Sequence, residues 1–206
     1  MARVTADMTM SLDGFIAGPN DGPENPLGDG GGQIHEWVYG LKTWRENAGL
    51  EGGATNQDND IVNEILAATG AVVMGRRMFD NGEVPWGDSP PFHAPVFVVT
   101  HQARETLTRE GGTSFTFVTD GVESALDQAR ASAGDKSVDI AGGANLIQQC
   151  LRAGVIDEFQ LHISPILLGD GVRLFDQAGP YQVKLERLRV VDSPNITHLK
   201  FRLETG

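Results

Sequence analysis

Three short runs of uninterrupted apolar residues constrain the fold of this chain most strongly. They occupy residues 71–75 (A-V-V-M-G), 95–100 (P-V-F-V-V-T) and 115–118 (F-T-F-V). Runs of this length and composition are typical of strands buried on both faces, as in parallel sheets. Apolar residues with helical spacing precede the first run, at 58–69, and follow the third, at 122–133. This alternation predicts an α/β fold with a mixed, mostly parallel central sheet and helices on both faces.

The stretch 138–147, V-D-I-A-G-G-A-N-L-I, predicts a further strand, a tight turn and a helix start. Paired glycines bring backbone amides to an exposed helix N-terminus, where the helix dipole favours an anion such as a phosphate. A plain glycine-rich connection between a buried strand and its helix is the alternative interpretation. The candidate anion-binding residues of this turn are Gly142, Gly143, Ala144, Asn145 and Leu146.

Phosphate-compatible residues lie at the ends of two of the apolar runs. The run 71–75 ends in Gly75 and is followed by Arg76 and Arg77, and the run 95–100 ends in Thr100 and is followed by His101. Carboxyl ends of parallel strands share one sheet edge, and the planar arginine fork suits phosphate, so these groups predict a dinucleotide site. Pairing of the two arginines with carboxylates such as Asp80 or Glu83 is the alternative. No strand is followed by G-x-G-x-x-G, which argues against a Rossmann fingerprint.

Residues 23–56 form a loop-rich insert that combines glycines, polar residues and aromatics. Its helical pattern is weak and covers only residues 34–45. Long connections of this kind inside a compact domain are usually functional, so we expect an ordered loop above a site.

Near the C-terminus the pattern changes to strict alternation. It is clear at 159–164 and 196–203, and a third segment at 183–191 loses its alternation around 186–188. Such alternation predicts half-exposed antiparallel strands in a hairpin region, with a bulge in the third segment. Their faces also suggest the seam of a homodimer.

Composition limits the class of protein. A length of 206 residues with 40% hydrophobic content predicts one domain, residues 1–206. A formal net charge of -12 predicts no nucleic-acid partner and no anionic membrane surface. No apolar segment suits a signal peptide or a membrane span, so we expect a cytoplasmic protein. The single cysteine, Cys150, has apolar helical spacing and is expected in the core; the five histidines lack metal-ligand spacing, and no metal is expected.

Five motifs together resemble one known family. They read M-S-L-D-G-F-I-A-G, V-M-G-R-R-M-F, P-V-F-V-V-T-H, D-I-A-G-G-A-N-L-I and D-E-F-Q-L-H-I-S-P-I-L-L-G-D-G-V-R-L-F. In order and spacing they resemble the reductase domain of the bifunctional deaminase-reductases of riboflavin biosynthesis and, more distantly, dihydrofolate reductase. The resemblance implies a dihydrofolate reductase-like fold and an NADPH-dependent oxidoreductase. The zinc motifs of the deaminase half, H-x-E and P-C-x-x-C, are absent from the sequence.

The resemblance also implies roles for the glycine and arginine motifs. The strand-end groups of 75–77 and 100–101 would face the adenosine phosphates, 142–144 would hold the pyrophosphate, and Ala17 would lie beside the nicotinamide. The small-molecule substrate would be 5-amino-6-(5-phosphoribosylamino)uracil or a related heterocyclic or ribosyl-carbonyl compound. Phe15 replaces a basic residue that is common in the family, so pterin reduction of the dihydrofolate reductase type and a catalytically idle nucleotide-binding protein remain alternatives.

Candidate catalytic and substrate residues come from several parts of the chain. Asp13 follows the first strand and could supply a proton, although Asp-Gly often only closes a turn. Asp60 lies where the resemblance to dihydrofolate reductase implies an acidic anchor, although first-turn acids are also favoured by the helix dipole. The candidate substrate residues are His35, Trp37, Trp86 and Phe92, with core packing as the alternative for each.

Overall fold

A computed structural model describes residues 2–176 and 183–204 of the chain. Its strands are β1 (Val4–Ser11), β2 (Phe15–Ala17), β3 (Thr69–Gly75), β4 (Pro95–Val99), β5 (Leu107–Thr108), β6 (Ser114–Val118), β7 (Ser137–Gly142), β8 (Glu158–Ser164), β9 (Val172–Arg173), β10 (Leu185–Ser193) and β11 (Ile196–Leu203). Its α-helices are α1 (Glu36–Tyr39), α2 (Lys42–Asn47), α3 (Gln57–Ala68), α4 (Arg76–Trp86), α5 (Val122–Ala133) and α6 (Ala144–Arg152). Short 3-10 turns lie at Gly31–His35 and Glu110–Gly112.

Nine strands form one mixed sheet in the order β10-β11-β8-β1-β7-β3-β4-β6-β5, and β2 pairs with β9 in a small antiparallel sheet. The six neighbours from β8 to β6 are all parallel. The antiparallel strands β11 and β10 extend one edge, and β5 extends the other. The predicted mixed, mostly parallel sheet with a C-terminal antiparallel hairpin is therefore confirmed. Since the six central strands share a direction, their carboxyl ends share one edge.

Helices cover both faces of the sheet, as predicted. On one face, Leu126 of α5 and Ile147 of α6 are buried against Val138 and Ile140 of β7. On the other face, Phe79 of α4 lies in a separate cluster with β3, β4 and β6. Cys150 is fully buried in the first cluster, where burial raises the pKa of its thiol to about 12. The cysteine is therefore a core residue, as expected.

The alternating C-terminal pattern correctly predicts strands, but the prediction that all of them are half-exposed and antiparallel is wrong for β8. β8 pairs antiparallel with β11 but parallel with β1, and it is buried on both faces. Its polar residues Gln160 and His162 are 6% and 1% exposed. They are buried because α3 and the insert cover that face, as the 4.9 Å separation between the Trp37 and His162 rings shows. The predicted bulge is present in β10, where the register shifts between Arg187 and Arg189.

The insert contains three short helical segments instead of the weak helix predicted at 34–45. The 3-10 turn Gly31–His35, α1 and α2 follow one another, and the chain is extended at Leu41 between α1 and α2. Leu41 and Val38 pack on Val62 of α3 in a small apolar cluster. This cluster holds the insert against α3, which covers the face of β8 that carries Gln160 and His162.

Two observations concern the described residues as a whole. No helix in the ranges 2–176 and 183–204 is long and apolar enough to cross a bilayer. In the same ranges, no group of three or more His, Cys, Asp or Glu side chains is arranged to hold a metal ion.

Truncation of a buried leucine in the core on the α5 face should lower the free energy of unfolding substantially. Leu126 is 1% exposed, so Leu126→Ala should lower the free energy of unfolding by roughly 2–5 kcal/mol through lost burial and a residual cavity. Leu50 is 52% exposed, and Leu50→Ala should change it by less than about 0.5 kcal/mol. Urea unfolding with an unchanged denaturant slope measures both. Equal costs for the two variants would contradict this packing.

Candidate active site

A cleft of about 1610 Å³ runs along the carboxyl edge of the parallel strands. Each of the six parallel strands provides one lining residue of the cleft, and for β6 this residue directly follows the strand. They are Thr9 (β1), Gly75 (β3), Val99 (β4), Thr119 (after β6), Ala141 (β7) and His162 (β8). The insert lines the cleft as well, through residues such as Leu27, His35 and Trp37. The cleft therefore lies where open sheets with parallel strands bind their ligands.

Three helices begin at this cleft without a side-chain cap. The N-cap residues of α4, α5 and α6 are Gly75, Gly121 and Gly143, and none of these three helices receives a side-chain cap hydrogen bond. Glycine has no side chain to accept from the first-turn amides, so those amides stay available to a ligand. All three N-caps line the same cleft. Three positive helix ends directed at one space form a strong anion-binding surface.

The sequence-predicted cofactor residues come together in this cleft with one exception. Those that line it are Ala17, Gly75, Arg76, Arg77, Thr100, His101, Gly143, Ala144, Asn145 and Leu146. Gly142 does not line the cleft; it precedes the N-cap of α6, with a φ of 125° that favours glycine. A Cβ on Gly143 would meet no atom of the described structure within 4 Å, so the space above this residue is open to a ligand. Gly121 was missed, although Asp120-Gly121 lies only one residue beyond the third apolar run.

Both arginines of the Gly-Arg-Arg motif are ion-paired, as the alternative interpretation of the sequence foresaw for Asp80. Arg76 Nε donates to Asp80 at 2.7 Å. Arg77 donates to both carboxylate oxygens of Asp21 at 2.8 and 2.6 Å, and Asn81 also donates to this carboxylate. Arg77 therefore fastens the loop of Asp21 to α4, whereas Arg76 pairs only with its own helix.

The aromatic end of the cleft contains the candidate substrate residues His35 and Trp37. The Trp37 indole lies 4.9 Å from the His162 ring, and its buried Nε1 has no hydrogen-bond partner within the described residues. Burial, and secondarily His162, lower the pKa of His35 to about 4. Asp7 of β1 lines the same end with a side chain that is 23% exposed. This end offers a free indole donor and a carboxylate acceptor to a planar polar ligand.

Trp86 and Phe92 also line the cleft, but at a different part of it. Their rings pack edge to face with centroids 4.9 Å apart. α4 carries Trp86 about 15 Å along its axis from Arg76, which is the N-terminal residue of that helix. These two aromatics therefore lie well away from the helix N-termini.

The structure places neither candidate proton donor in the cleft. The Asp13 carboxylate accepts hydrogen bonds from the Ser11 hydroxyl and from the amides of Leu168 and Gly169. These bonds, led by that of Ser11, lower the pKa of Asp13 to about 2, so it is an ionised anchor for a turn. Asp60 is exposed on α3, which presents Val62, Ile65 and Leu66 to the cleft instead. Neither Asp13 nor Asp60 is therefore positioned to reach a ligand in the cleft.

A buried chain of polar side chains was missed by sequence reasoning. Asp7 accepts from His162 Nε2 at 3.0 Å, and His162 Nδ1 lies 2.5 Å from His198 Nδ1. His198 Nε2 lies 3.1 Å from Asp58 of α3, and Asp58 accepts from the hydroxyl of Ser193. The alternation of β8 and β11 contained both histidines but suggested an exposed polar face. The chain begins at the cleft and ends under the β10–β11 hairpin.

Comparisons with known proteins identify the class of this fold. A dihydrofolate reductase from Enterococcus faecalis, complexed with NADP(H) and RAB-propyl, matches with a TM-score of 0.57 at 13% identity, over 98% of this chain and 97% of that one. A putative riboflavin biosynthesis protein from Shewanella sp. PV-4 matches with a TM-score of 0.70 at 23% identity, over the full length of both chains. The chain therefore has a dihydrofolate reductase-like α/β fold.

The family follows from the sequence comparison. Residues 2–199 match the RibD C-terminal domain, and the chain belongs to that family. The uncharacterized protein YyaP of Bacillus subtilis (strain 168) is 25% identical over 180 residues, which cover 84% of this chain and 80% of that protein. The resemblance drawn from the five motifs is confirmed.

The environment of Asp13 predicts a pH-dependent contribution to stability. Its pKa is about 2 in the native state against an ordinary value of 3.8, so its ionised form stabilises the fold above pH 3.8. This stabilisation is lost as the pH falls through about 2. Asp13→Asn should therefore be less stable than wild type at neutral pH, and the difference should close in that acid range. Urea unfolding across pH measures it, and a difference that persists below pH 2 would contradict the assignment.

Proposed function

We propose that this chain is an NADPH-dependent reductase of the riboflavin-biosynthesis type. The observation that carries the proposal is the convergence of three uncapped helix N-termini, those of α4, α5 and α6, on one cleft at the carboxyl edge of the sheet. The dihydrofolate reductase-like fold and membership of the RibD C-terminal domain family support it. The substrate would be 5-amino-6-(5-phosphoribosylamino)uracil or a related small heterocyclic or ribosyl-carbonyl compound.

The residues present fit a dinucleotide. Gly143 leaves open space at the N-terminus of α6, where backbone amides would hold the pyrophosphate. Arg76, Thr100 and His101 would face the adenosine phosphates, and Ala17 would lie beside the nicotinamide. The reduced nicotinamide supplies a hydride when bound, whereas the protein supplies position and electrostatics.

A third arginine lines the cleft near Phe15. The guanidinium of Arg173 lies 4.3 Å above the ring of Phe15 and 3.7 Å from the carboxylate of Asp176, which also lines the cleft. This arginine brings a positive charge to the position where Phe15 removed the one expected in the family. The alternative of pterin reduction with an acidic anchor on α3 is less favoured, because Asp58 is buried against His198 and Asp60 is exposed outside the cleft.

Direct titration tests the proposal. NADPH and then NADH are titrated by fluorescence, and NADPH consumption is followed with the pyrimidine ribosylamine phosphate and with dihydrofolate. Binding of NADPH with turnover of the first substrate is the expected result. Binding without turnover would favour the catalytically idle alternative, and failure to bind either dinucleotide would refute the proposal.

The different pairing of the two arginines predicts which one discriminates between the cofactors. Arg76→Ala removes a charged donor beside the open end of α4 and should weaken NADPH binding roughly 10- to 100-fold, as expected for a charge-assisted hydrogen bond of about 1.5–3 kcal/mol. NADH lacks the 2′-phosphate and should be affected far less. Arg202→Ala, which removes an exposed arginine paired with Glu186 on the hairpin, is the matched control and should change neither affinity. Equal losses for NADPH and NADH in Arg76→Ala would contradict the assignment.

A further inference from the structure

The buried polar chain connects the cleft with two histidines that no part of the proposed cofactor site uses. Asp7 is its end in the cleft, and Asp58 and Ser193 are its far end. His162 and His198 are 1% and 2% exposed, so they exchange no protons directly with bulk water. A sealed reductase site needs one proton for every hydride that a carbon–nitrogen or carbon–oxygen double bond accepts.

We propose that His162 and His198 share one extra proton and deliver it through Asp7 to the substrate. Asp7 then contacts the substrate and is the catalytic acid, whereas His162, His198 and Asp58 are positioning residues that act through it. This inference rests on the proposed reductase function.

Counting hydrogens on the four ring nitrogens supports the extra proton. Three contacts each require one hydrogen: His162 Nε2 to Asp7, Nδ1 to Nδ1 between the rings, and His198 Nε2 to Asp58. With both carboxylates ionised, two neutral imidazoles supply only two hydrogens, so one buried contact would be left unmade, at the cost of an unsatisfied polar group. Two imidazolium rings would place two N–H groups against each other across 2.5 Å. Three hydrogens satisfy every contact and give the pair one positive charge between two carboxylates.

The groups around the pair act on its charge in both directions. Burial, and then His162, lower the pKa of His198, whereas its contact with Asp58 and the charge of Asp7 act in the opposite direction. His35 is held neutral by burial and by His162. Beside Asp7, burial and the Asp7 charge raise the pKa of Asp139 on β7 well above its ordinary value. Lys200, which follows His198 on the same face of β11, is ion-paired with Glu158 and Glu64.

The transfer conserves atoms and charge. The substrate carbon gains a hydride with its electron pair, and the adjacent nitrogen or oxygen gains the proton from the Asp7 carboxyl group. Asp7 has received that proton from His162 Nε2, and His162 Nδ1 has taken the hydrogen of His198 Nδ1. The pair is left neutral, with hydrogens on His162 Nδ1 and His198 Nε2.

The starting state is restored through the same residues in reverse order. Asp7 is 23% exposed at the cleft, so it takes a proton from water once product has left. It returns this proton to His162 Nε2, and the hydrogen between the rings moves back to His198. The Trp37 ring is tilted against His162 at 4.9 Å and lies edge-on to His198 at 5.2 Å, and it keeps water from the pair throughout.

Nitrogen NMR of the histidine-labelled protein tests the shared proton without any turnover. At neutral pH in the ligand-free protein, we expect three hydrogens on the four nitrogens of His162 and His198. The exposed ring of His101 serves as the internal reference. Two neutral rings at His162 and His198 would overturn the inference.

The pH profile of turnover tests the delivery. Asp58→Asn removes one of the two carboxylates that stabilise the extra proton, so the basic limb should move down by at least about one pH unit, a tenfold change in proton affinity. NADPH affinity should stay unchanged, and Asp60→Asn, an exposed neighbour on the same helix, should leave the limb in place. A merely structural role of Asp58 would lower activity or stability without moving the limb, and this result would overturn the delivery step.

The two proposals fail in different ways. Normal NADPH turnover with two neutral histidines overturns the shared proton and leaves the reductase standing. A protonated pair in a chain that binds no NADPH overturns the reductase, and the delivery step with it.

Discussion

The parallel alignment of six neighbouring strands is the constraint on which the rest of this structure depends. Each crossover helix that follows such a strand must begin at the carboxyl edge, so α4, α5 and α6 direct their N-termini to the same side. Because β7 lies between β1 and β3, the turn after β7 meets the turn after β3. A Cβ on Gly75 would lie only 3.6 Å from the amide nitrogen of Gly143. The topology therefore creates the anion-binding surface before any charged side chain contributes.

This arrangement explains how a chain with a net charge of -12 can offer an anion site. Three arginines line the cleft, and Arg76, Arg77 and Arg173 are paired with Asp80, Asp21 and Asp176, so their charges are partly compensated. The amides at the N-termini of α4 and α6 carry partial positive charge with no acidic residue in the first turn, whereas the first turn of α5 contains Glu123. A high negative net charge disfavours broad polyanionic partners, but it is compatible with one small anion held by backbone groups.

Much of the fold and of the cleft lining could be predicted, because buried parallel strands and glycine N-caps leave local signals. The apolar run that ends in Gly75 and the paired glycines at 142–143 are such signals. Asp7 and the histidine pair connected to it could not be predicted from local signals. Asp7, Asp58, His162 and His198 lie far apart in the sequence and meet only through strand pairing and the packing of α3. Alternation at β8 also cannot distinguish a polar face in water from a polar face beneath a helix, and this ambiguity hid the histidines.

The covered polar face gives the insert a physical role. A buried network of two carboxylates and two imidazoles is stable only if every contact is made, since each unsatisfied group costs about 1–3 kcal/mol. Trp37 on α1 excludes water from the rings, and the cluster of Val38, Leu41 and Val62 holds the insert against α3, which carries Asp58. The insert therefore does more than border the cleft. By keeping the histidine pair dry, it maintains the low dielectric in which one shared proton is strongly coupled to the charge of Asp7.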